Sequence, residues 1–271
     1  MENSLLSHRV THLSGRVRVP GDKSISHRAL MFGGLAVGET TIHGLLEGED
    51  VLATATALMQ MGCTIRKNTD QAAPIWTVSG VGVGGLQPPR DVLDLHNAGT
   101  AARLLMGILA SHNFTAFMTG DASLRSRPMA RVITPLEQMG ARFVTSENRR
   151  MPLALIGAAN PLPIRYDLPV ASAQVKSAIL LAGLNTPGHT TVIERQRTRD
   201  HSENMLRHFG AEVHEQTGPE GEHIITVTGY PNLRASQVIV PGDPSSAAFL
   251  AVAAALMPDS DVTLIGVGIN P

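Results

Sequence analysis

The chain is poor in the features that mark several large classes of protein. Of its 271 residues, one is cysteine and 3% are aromatic, and the formal net charge is −1. A single cysteine excludes a framework of internal disulfides, and scarce aromatic rings leave few platforms on which bases stack. The balanced charge gives no basic surplus of the kind that binds nucleic acid or an anionic membrane. These absences leave an ordinary soluble protein as the expectation.

Long apolar runs and targeting or metal motifs are also missing. The longest apolar stretch, Ala247–Met257, is shorter than a bilayer span requires. The N-terminus lacks the basic-then-apolar pattern of a signal peptide, and a strand expected from about Arg16 leaves no room for a transit peptide. Gly80–Gly85 matches G-x-G-x-x-G, but no helix follows it, and no histidines have metal-ligand spacing. We therefore expect a cytoplasmic protein with no metal and no cofactor.

What the chain does contain is a repeated phrase. Val-Pro-Gly-Asp begins at Val19 and again, near the other end of the chain, at Val240. Each copy follows a β-like run, Arg16–Val19 or Gln237–Val240, and precedes a Ser-rich helix start. Helix openings recur at nearly equal intervals, at Ser26, Thr100, Ser172 and Ser245. A fixed period of this length indicates an α/β fold built from copies of one small unit.

Each period holds the same order of predicted elements. A Thr/Val/Ile-rich strand follows each helix, and a second helix ends at a glycine, the residue expected for a left-handed cap. Two further strands close the unit, which therefore reads strand, helix, strand, helix, strand, strand. Three copies are complete, and the fourth stops after its second strand at Pro271. Because this leaves a sheet unpaired, we expect the front part of a longer protein; alternatively, the short fourth segment caps the third unit.

The first helix opening carries the residue types of an anion site. Lys23 and Ser24 stand where a strand turns into a helix, and Arg28 follows one turn later. Helix N-termini present free N–H groups and a partial positive charge, to which lysine and arginine add charge-assisted hydrogen bonds. The alternative is that a serine only caps the helix while both bases face solvent. The equivalent Pro244–Ser245 has no lysine, so the fold alone does not require one, and we favour an anionic, phosphorylated ligand.

Two later segments offer similar chemistry. Asn97–Thr100 has a glycine where a ligand can approach the backbone closely, although an ordinary helix cap explains it equally well. The loop Gly120–Pro128 carries two arginines. If Pro128 lies in the first turn of the next helix, Arg127 stands at the mouth of that helix. The alternative for this loop is a solvated arginine pair.

The third helix opening and a nearby arginine complete the candidates. Capping explains Ser172 but not Gln174, whose amide suits phosphate and hydroxyl groups. Arg199 stands at the start of a predicted helix, beside Asp200 and Glu203. A cation is unfavourable there for the helix dipole, whereas the two acids are favourable. Arg199 therefore indicates a ligand.

Taken together, these phrases resemble the family of bacterial 5-enolpyruvylshikimate-3-phosphate (EPSP) synthases. Six motifs in the family's order cover nearly the whole chain: Pro20–Ala36, Asn97–Leu105, Gly120–Met129, Ala171–Leu184, Thr198–Leu206 and Val240–Phe249. The resemblance implies an inside-out α/β barrel of two domains, each with three units and with helices packed inside. On this scheme residues 22–240 form one complete domain that carries the shikimate-phosphate site. Residues 1–21 give a first strand to the other domain, and residues 241–271 begin that second domain.

The resemblance also implies a reaction. The enolpyruvyl group of phosphoenolpyruvate is transferred to the 5-hydroxyl of shikimate 3-phosphate, phosphate is released, and Lys23 is the candidate for proton transfer. Gly99 implies sensitivity to the inhibitor glyphosate. The residues implied for shikimate 3-phosphate are Lys23, Ser24, Arg28, Ser172, Ala173, Gln174 and Arg199. Those implied for phosphoenolpyruvate are Lys23, Gly99, Thr100, Arg127 and Gln174.

Two departures from the family pattern matter. His96 stands where the family usually has glycine, so it crowds the loop or points away. The family's second half, which supplies an acidic general base and further cations, is missing, so we expect no turnover by this chain alone. One rival is the sister enzyme acting on UDP-N-acetylglucosamine, which carries a cysteine or sometimes an aspartate in the loop Gly120–Pro128. This chain has Asp121 there but no cysteine. The other rival is a non-catalytic shikimate-phosphate-binding half of a split enzyme, completed by a partner chain.

Overall fold

The structure is a computed structural model that describes residues 9–69 and 73–270. Residues 1–8 and Pro271, at the two ends of the segments assigned to the second domain, lie outside the described residues. The helices are α1 (Lys23–Leu35), α2 (Glu49–Gln60), α3 (Gly99–Ala110), α4 (Ala122–Ser126), α5 (Ala130–Gln138), α6 (Ala173–Leu184), α7 (His201–His208) and α8 (Pro244–Leu256). The strands are β1 (Ser14–Val17), β2 (Val37–His43), β3 (Thr64–Asn68), β4 (Ile75–Val81), β5 (Leu93–Asp94), β6 (Thr115–Thr119), β7 (Arg142–Ser146), β8 (Arg150–Ile156), β9 (Arg165–Asp167), β10 (His189–Glu194), β11 (Val213–Thr217), β12 (His223–Thr228), β13 (Gln237–Ile239) and β14 (Asp261–Leu264).

Three four-stranded sheets repeat along the chain, which confirms the repeated α/β unit. Their strand orders are β13-β2-β4-β3, β5-β6-β8-β7 and β9-β10-β12-β11. In each sheet the first strand runs parallel to the second, and the remaining pairs are antiparallel. The same mixed topology therefore occurs three times.

Three helices of equivalent position form the centre of the fold. In each of α1, α3 and α6, ten residues are buried. A helix that is buried around most of its circumference belongs in a core, and the apolar side chains of all three join one hydrophobic cluster. α3 and α6 approach closely at Gly107, where an added Cβ would lie 2.7 Å from the Cα of Ala178. This packing fixes the N-terminal turns of the helices relative to one another.

The strand before α1 does not pair within the sheet of the first unit. The repeat alone would place it there, whereas the family resemblance assigns residues 1–21 to another domain. β1 pairs in parallel with β14 in a separate two-stranded sheet. The sheet of the first unit is completed instead by β13, which pairs with β2. The first unit thus takes its opening strand from a segment that follows the third unit along the chain.

The two Val-Pro-Gly-Asp phrases lie side by side at the point of this exchange. Asp22 N–H donates to Pro241 O and Asp243 N–H donates to Pro20 O, both at 2.8 Å. Glycine is required in the first phrase because an added Cβ on Gly21 would overlap the Gly44 carbonyl oxygen. The repeated phrase therefore marks two reciprocal crossings of the chain between sheets.

Two helix boundaries differ from the prediction. α1 begins at Lys23 rather than near Ser26, because Asp22 is the cap and its carboxylate accepts from Ile25 N–H at 2.8 Å. Pro128 does not lie in the first turn of a helix, so the condition for placing Arg127 at the mouth of that helix is not met. The short helix α4, capped by Asp121, ends two residues before Pro128, and the next helix, α5, begins two residues after it.

α8 differs from its counterparts in the three complete units. Its sequence is strongly apolar, yet Ala247 is its one buried residue. Phe249 is 81% exposed and Leu256 is 78% exposed. Within residues 9–69 and 73–270, none of the helices has the length and hydropathy that a bilayer span needs.

Candidate active site

The first turn of α1 borders a cavity of about 980 Å³. Lys23, Ser24 and Arg199 line this cavity, together with residues of the segment from Pro241 to Asn270. The Lys23 side chain is 47% exposed and forms an ion pair with Asp50, in the first turn of α2. An anion that enters the cavity therefore meets an accessible ammonium group that one carboxylate partly neutralises.

Arg28 lies deeper than the cavity and connects three helices. It is 3% exposed, and its guanidinium donates to Ser202 Oγ at 2.8 Å, to Ser177 Oγ at 2.9 Å and to Ser24 O at 3.0 Å. Burial lowers the pKa of Arg28 to about 10, although the nearby Glu203 carboxylate opposes the shift. The side chain therefore stays charged at neutral pH and joins the starts of α1, α6 and α7. Its direct contact with a substrate stays a prediction.

The starts of α3 and α6 are linked by Gln174. Its amide nitrogen donates to Thr100 Oγ1 at 3.1 Å, and its amide oxygen accepts from Arg103 at 2.8 Å. Ser172 caps α6 and accepts from Val175 N–H. These bonds orient the Gln174 amide between two helix N-termini, both of which favour an anion.

Positive charge is concentrated beside Gly99. An added Cβ on this glycine would lie 2.6 Å from Nη1 of Arg127, so only glycine leaves the guanidinium where it is. Arg127 donates to Asn97 Oδ1 and to Ser123 Oγ. Burial lowers the pKa of Arg103, and the charges of Arg127 and Arg131 lower it further. Like charges held this close favour a bound anion.

Arg199 faces the cavity. Across residues 9–69 and 73–270, its side chain has no hydrogen bond or ion pair, and the residue is exposed. Asp200 is the N-terminal cap of α7, as its position before the helix indicates, but its side chain makes no capping bond. It accepts instead from Asn270 Nδ2 at 2.7 Å. Arg199 is therefore available to an incoming anion.

His96 adopts the backbone conformation that favours glycine. Its φ is 48°, in the left-handed region, which carries a strain of about 1–2 kcal/mol for a residue with a side chain. The ring is 61% exposed and lies 3.8 Å from Asp94. The side chain thus points away from the loop instead of crowding it.

The structure arranges the predicted residues in two groups. Lys23, Ser24 and Arg199 surround the cavity, whereas Gly99, Thr100, Gln174 and Arg127 cluster where α3 meets α6. Sequence reasoning missed Asp50, whose place in the first turn of α2 suggests only a favourable helix dipole. It also gave no role to Lys176, the one charged residue of α6, although a lysine in a mostly apolar helix was a usable signal.

Comparison with known proteins gives a consistent result. A family profile described as EPSP synthase (3-phosphoshikimate 1-carboxyvinyltransferase) matches residues 8–271. The chain is 64% identical over 268 residues to the 3-phosphoshikimate 1-carboxyvinyltransferase of Rhodospirillum rubrum, and the match covers 98% of this chain and 59% of that protein. Its identity to the Acidiphilium cryptum protein of the same description is 62% over 261 residues, covering 96% and 58%.

A solved structure has the same fold. The EPSP synthase from Acinetobacter baumannii superposes with a TM-score of 0.85 at 46% identity, covering 96% of this chain and 57% of that one. The chain therefore spans just under three fifths of the length of the relatives it matches, and it matches their N-terminal part.

Proposed function

This chain belongs to the EPSP synthase (3-phosphoshikimate 1-carboxyvinyltransferase) family, and we propose on that basis that it carries the shikimate 3-phosphate site of an enolpyruvyl transferase and part of its phosphoenolpyruvate site. The observation that carries the proposal is the cationic set of helix N-termini around Lys23, Arg127 and Arg199, the last of which has no partner among residues 9–69 and 73–270. Two phosphates and two carboxylates must be held together in this reaction, and such helix starts suit all four groups.

Shikimate 3-phosphate is assigned to the side of the site nearest α6 and α7. Arg199 meets an anionic group of the substrate, and the cap of α6, Ser172–Gln174, offers a hydroxyl, a backbone N–H and an amide. Ser24 and Lys23 approach from α1, while Arg28 holds these helix starts together. This assignment is supported by the exposure of Arg199 and by its freedom from any partner in the described ranges.

Phosphoenolpyruvate is assigned to the neighbouring group around Gly99. Arg127 and the N-terminus of α3 at Thr100 bind its anionic groups, and Gln174 stands between the two substrates. Gly99 allows the guanidinium of Arg127 to lie against the backbone. Inhibition by glyphosate stays a prediction of the family resemblance.

The proposed chemistry is an addition followed by an elimination. A proton adds to the methylene carbon of phosphoenolpyruvate and gives C2 oxocarbenium character, and the 5-hydroxyl oxygen of shikimate 3-phosphate then bonds to C2 and loses its proton to a base. The tetrahedral intermediate breaks its C2–O bond to phosphate, and the methyl group returns a proton as the enol ether forms. Lys23 is the proposed proton carrier at the methylene carbon.

We also propose that residues 22–240 are one domain and that residues 1–21 and 241–271 belong to a second. The separate β1–β14 sheet and the exposed apolar side chains of α8 support this division. On this proposal the remaining length of the relatives covers α8 and supplies the acidic base. The descriptions of the relatives favour the shikimate enzyme over the transferase acting on UDP-N-acetylglucosamine.

Reconstitution tests the proposed function. The chain is mixed with, or fused to, the C-terminal part of the Rhodospirillum rubrum relative that lies beyond the matched 59%, and phosphate release is followed with both substrates. We expect no release by the chain alone, and release that requires both substrates once the second part is supplied. Release by the chain alone contradicts the expected need for that part. No release from the fused, folded protein contradicts the proposed function.

A further inference from the structure

A cluster of buried charges lies beneath the segment that carries Arg199, and the proposed function gives it no role. The side chains of Lys176, Glu194 and Glu203 are all 0% exposed. Lys176 Nζ lies 3.0 Å from Glu194 Oε1 and 2.6 Å from Glu203 Oε1. His223 Nδ1 lies 3.1 Å from the same Glu194 oxygen. α6 is thereby connected to β10, α7 and β12.

Stability alone does not account for this cluster. Removing charged groups from water costs several kcal/mol per ion, and apolar side chains of similar volume often serve a core as well or better. Burial raises the pKa of Glu203 and outweighs the opposing charge of Lys176. Burial also raises the pKa of Glu194, but hydrogen bonds from Thr198, His223 and Lys176, together with the charge of Lys176, outweigh it and keep the carboxylate charged. As a charged carboxylate, Glu194 is therefore a strong hydrogen-bond acceptor.

Glu194 accepts two hydrogen bonds from Thr198. The hydroxyl of Thr198 donates to Glu194 Oε2 at 2.7 Å, and its backbone N–H donates to Glu194 Oε1 at 3.3 Å. Its carbonyl oxygen accepts from Lys176 Nζ at 3.4 Å. The hydroxyl, N–H and carbonyl of one residue are thus all bound by a buried ion pair. The segment has no helix or strand hydrogen bonds at this point, since β10 ends at Glu194 and α7 begins at His201.

Arg199 is the next residue, and its guanidinium has no partner among the described residues that would hold it in place. The segment is anchored again just beyond it, where Ser202 bonds to Ser177 Oγ at 2.7 Å and to Arg28. A long side chain binds an anion more tightly when its backbone is already ordered, because less conformational freedom is lost on binding.

We propose that Lys176 and Glu194 are positioning residues that fix Thr198, and through it hold Arg199 at the rim of the cavity for an anionic substrate. The proposal rests on the proposed function of Arg199. The anchoring of Thr198 is independent of that function. If the cluster serves only to attach α6 to its neighbours, the bonds to Thr198 make no difference to the ligand. A variant that removes one of those bonds and leaves all the buried charges in place separates the two roles.

Thr198→Val is that variant, because valine keeps the β-branched shape and removes the hydroxyl bond to Glu194. Thr198→Ser is the matched control that keeps the hydroxyl. Amide hydrogen exchange of the 195–200 segment reports the anchoring without a ligand, and titration with shikimate 3-phosphate reports its consequence. Hydrogen exchange and binding are each measured in chains that keep Arg199 and in chains that carry Arg199→Ala.

We expect Thr198→Val to speed exchange in the segment and to weaken shikimate 3-phosphate binding by roughly tenfold, the scale of one lost hydrogen bond to a charged group. Thr198→Val should leave the affinity for shikimate 3-phosphate unchanged in the Arg199→Ala chain. Thr198→Ser should retain most of the exchange protection and most of the affinity. An equal loss of affinity in both backgrounds, or unchanged exchange in Thr198→Val, overturns the proposal. If Arg199→Ala alone leaves affinity unchanged, the site assignment fails and so does the positioning role, whereas the exchange result still decides whether Thr198 is anchored.

Discussion

Replacing Lys23 with methionine in the reconstituted enzyme is expected to lower kcat by about 10²–10⁴-fold, the range for loss of a proton-transfer group. Methionine keeps most of the length of the side chain and removes the ammonium that faces the cavity. The chain should still fold, because the ion pair of Lys23 with Asp50 is partly exposed and such pairs contribute about 0–1 kcal/mol. Phosphate release at saturating concentrations of both substrates measures the effect.

Lys67→Met is the matched control for this prediction. Lys67 is similarly exposed and similarly paired, with Glu47 at 2.7 Å, but it does not line the cavity. Lys67→Met should therefore leave kcat unchanged. A Lys23→Met enzyme that turns over at the parental rate would remove Lys23 from the chemistry and leave it, at most, as a binding residue.

Replacing Lys176 with methionine is expected to lower the free energy of unfolding by about 3–5 kcal/mol, the cost of leaving buried carboxylates without their cation. Glu194 and Glu203 are both fully buried and both paired with Lys176, so the loss falls on two acids together. Urea denaturation followed by circular dichroism measures it, and the dependence on urea concentration should not change if the folded state keeps its compactness.

A second variant keeps this prediction open to test if Lys176→Met does not fold. Combining it with Glu194→Gln and Glu203→Gln removes all three charges, and part of the lost stability should return because no buried charge is left unpaired. If the free energy of unfolding of Lys176→Met instead lies within about 1 kcal/mol of that of the parent, on the scale of an exposed pair, Lys176 does not stabilise the two buried carboxylates as described above.

The repeating unit could be predicted from the sequence because each copy carries its own turn and cap residues. The repeat alone could not place β1 outside the first unit or identify β14 as its partner, and the expectation that residues 1–21 belong to another domain came from the family resemblance. Val19–Asp22 and Val240–Asp243 have the same sequence. Identical sequences predict the same local structure in both segments, but they do not predict which strands pair. The start of α1 was placed late for a similar reason, since Ser26 has the chemistry of a cap. In the structure Ser26 is buried and accepts from Leu46 N–H at 3.0 Å.

The candidate site also contains residues that could be predicted from the sequence and contacts that could not. Lys23, Gln174 and Arg199 could be found because helix starts and their cations follow local rules. The anchoring of Thr198 could not, because it depends on Glu194 at the end of β10 meeting Lys176 from α6 inside the core. The sequence signal was a single charged residue in the apolar run of α6, which predicts a buried partner without identifying it.

The central claim is that this chain alone presents a site for shikimate 3-phosphate at its helix starts. Isothermal titration of the chain with shikimate 3-phosphate tests it most directly, with Arg199→Ala as the variant. Arg195→Ala is the control, because Arg195 lies in the same segment but pairs with Asp167 and Glu220 and does not line the cavity.

We predict saturable binding by the parent and by Arg195→Ala, weakened roughly tenfold or more in Arg199→Ala by loss of charge-assisted hydrogen bonds. Absence of binding by the folded parent chain, or equal binding by Arg199→Ala, would contradict the account.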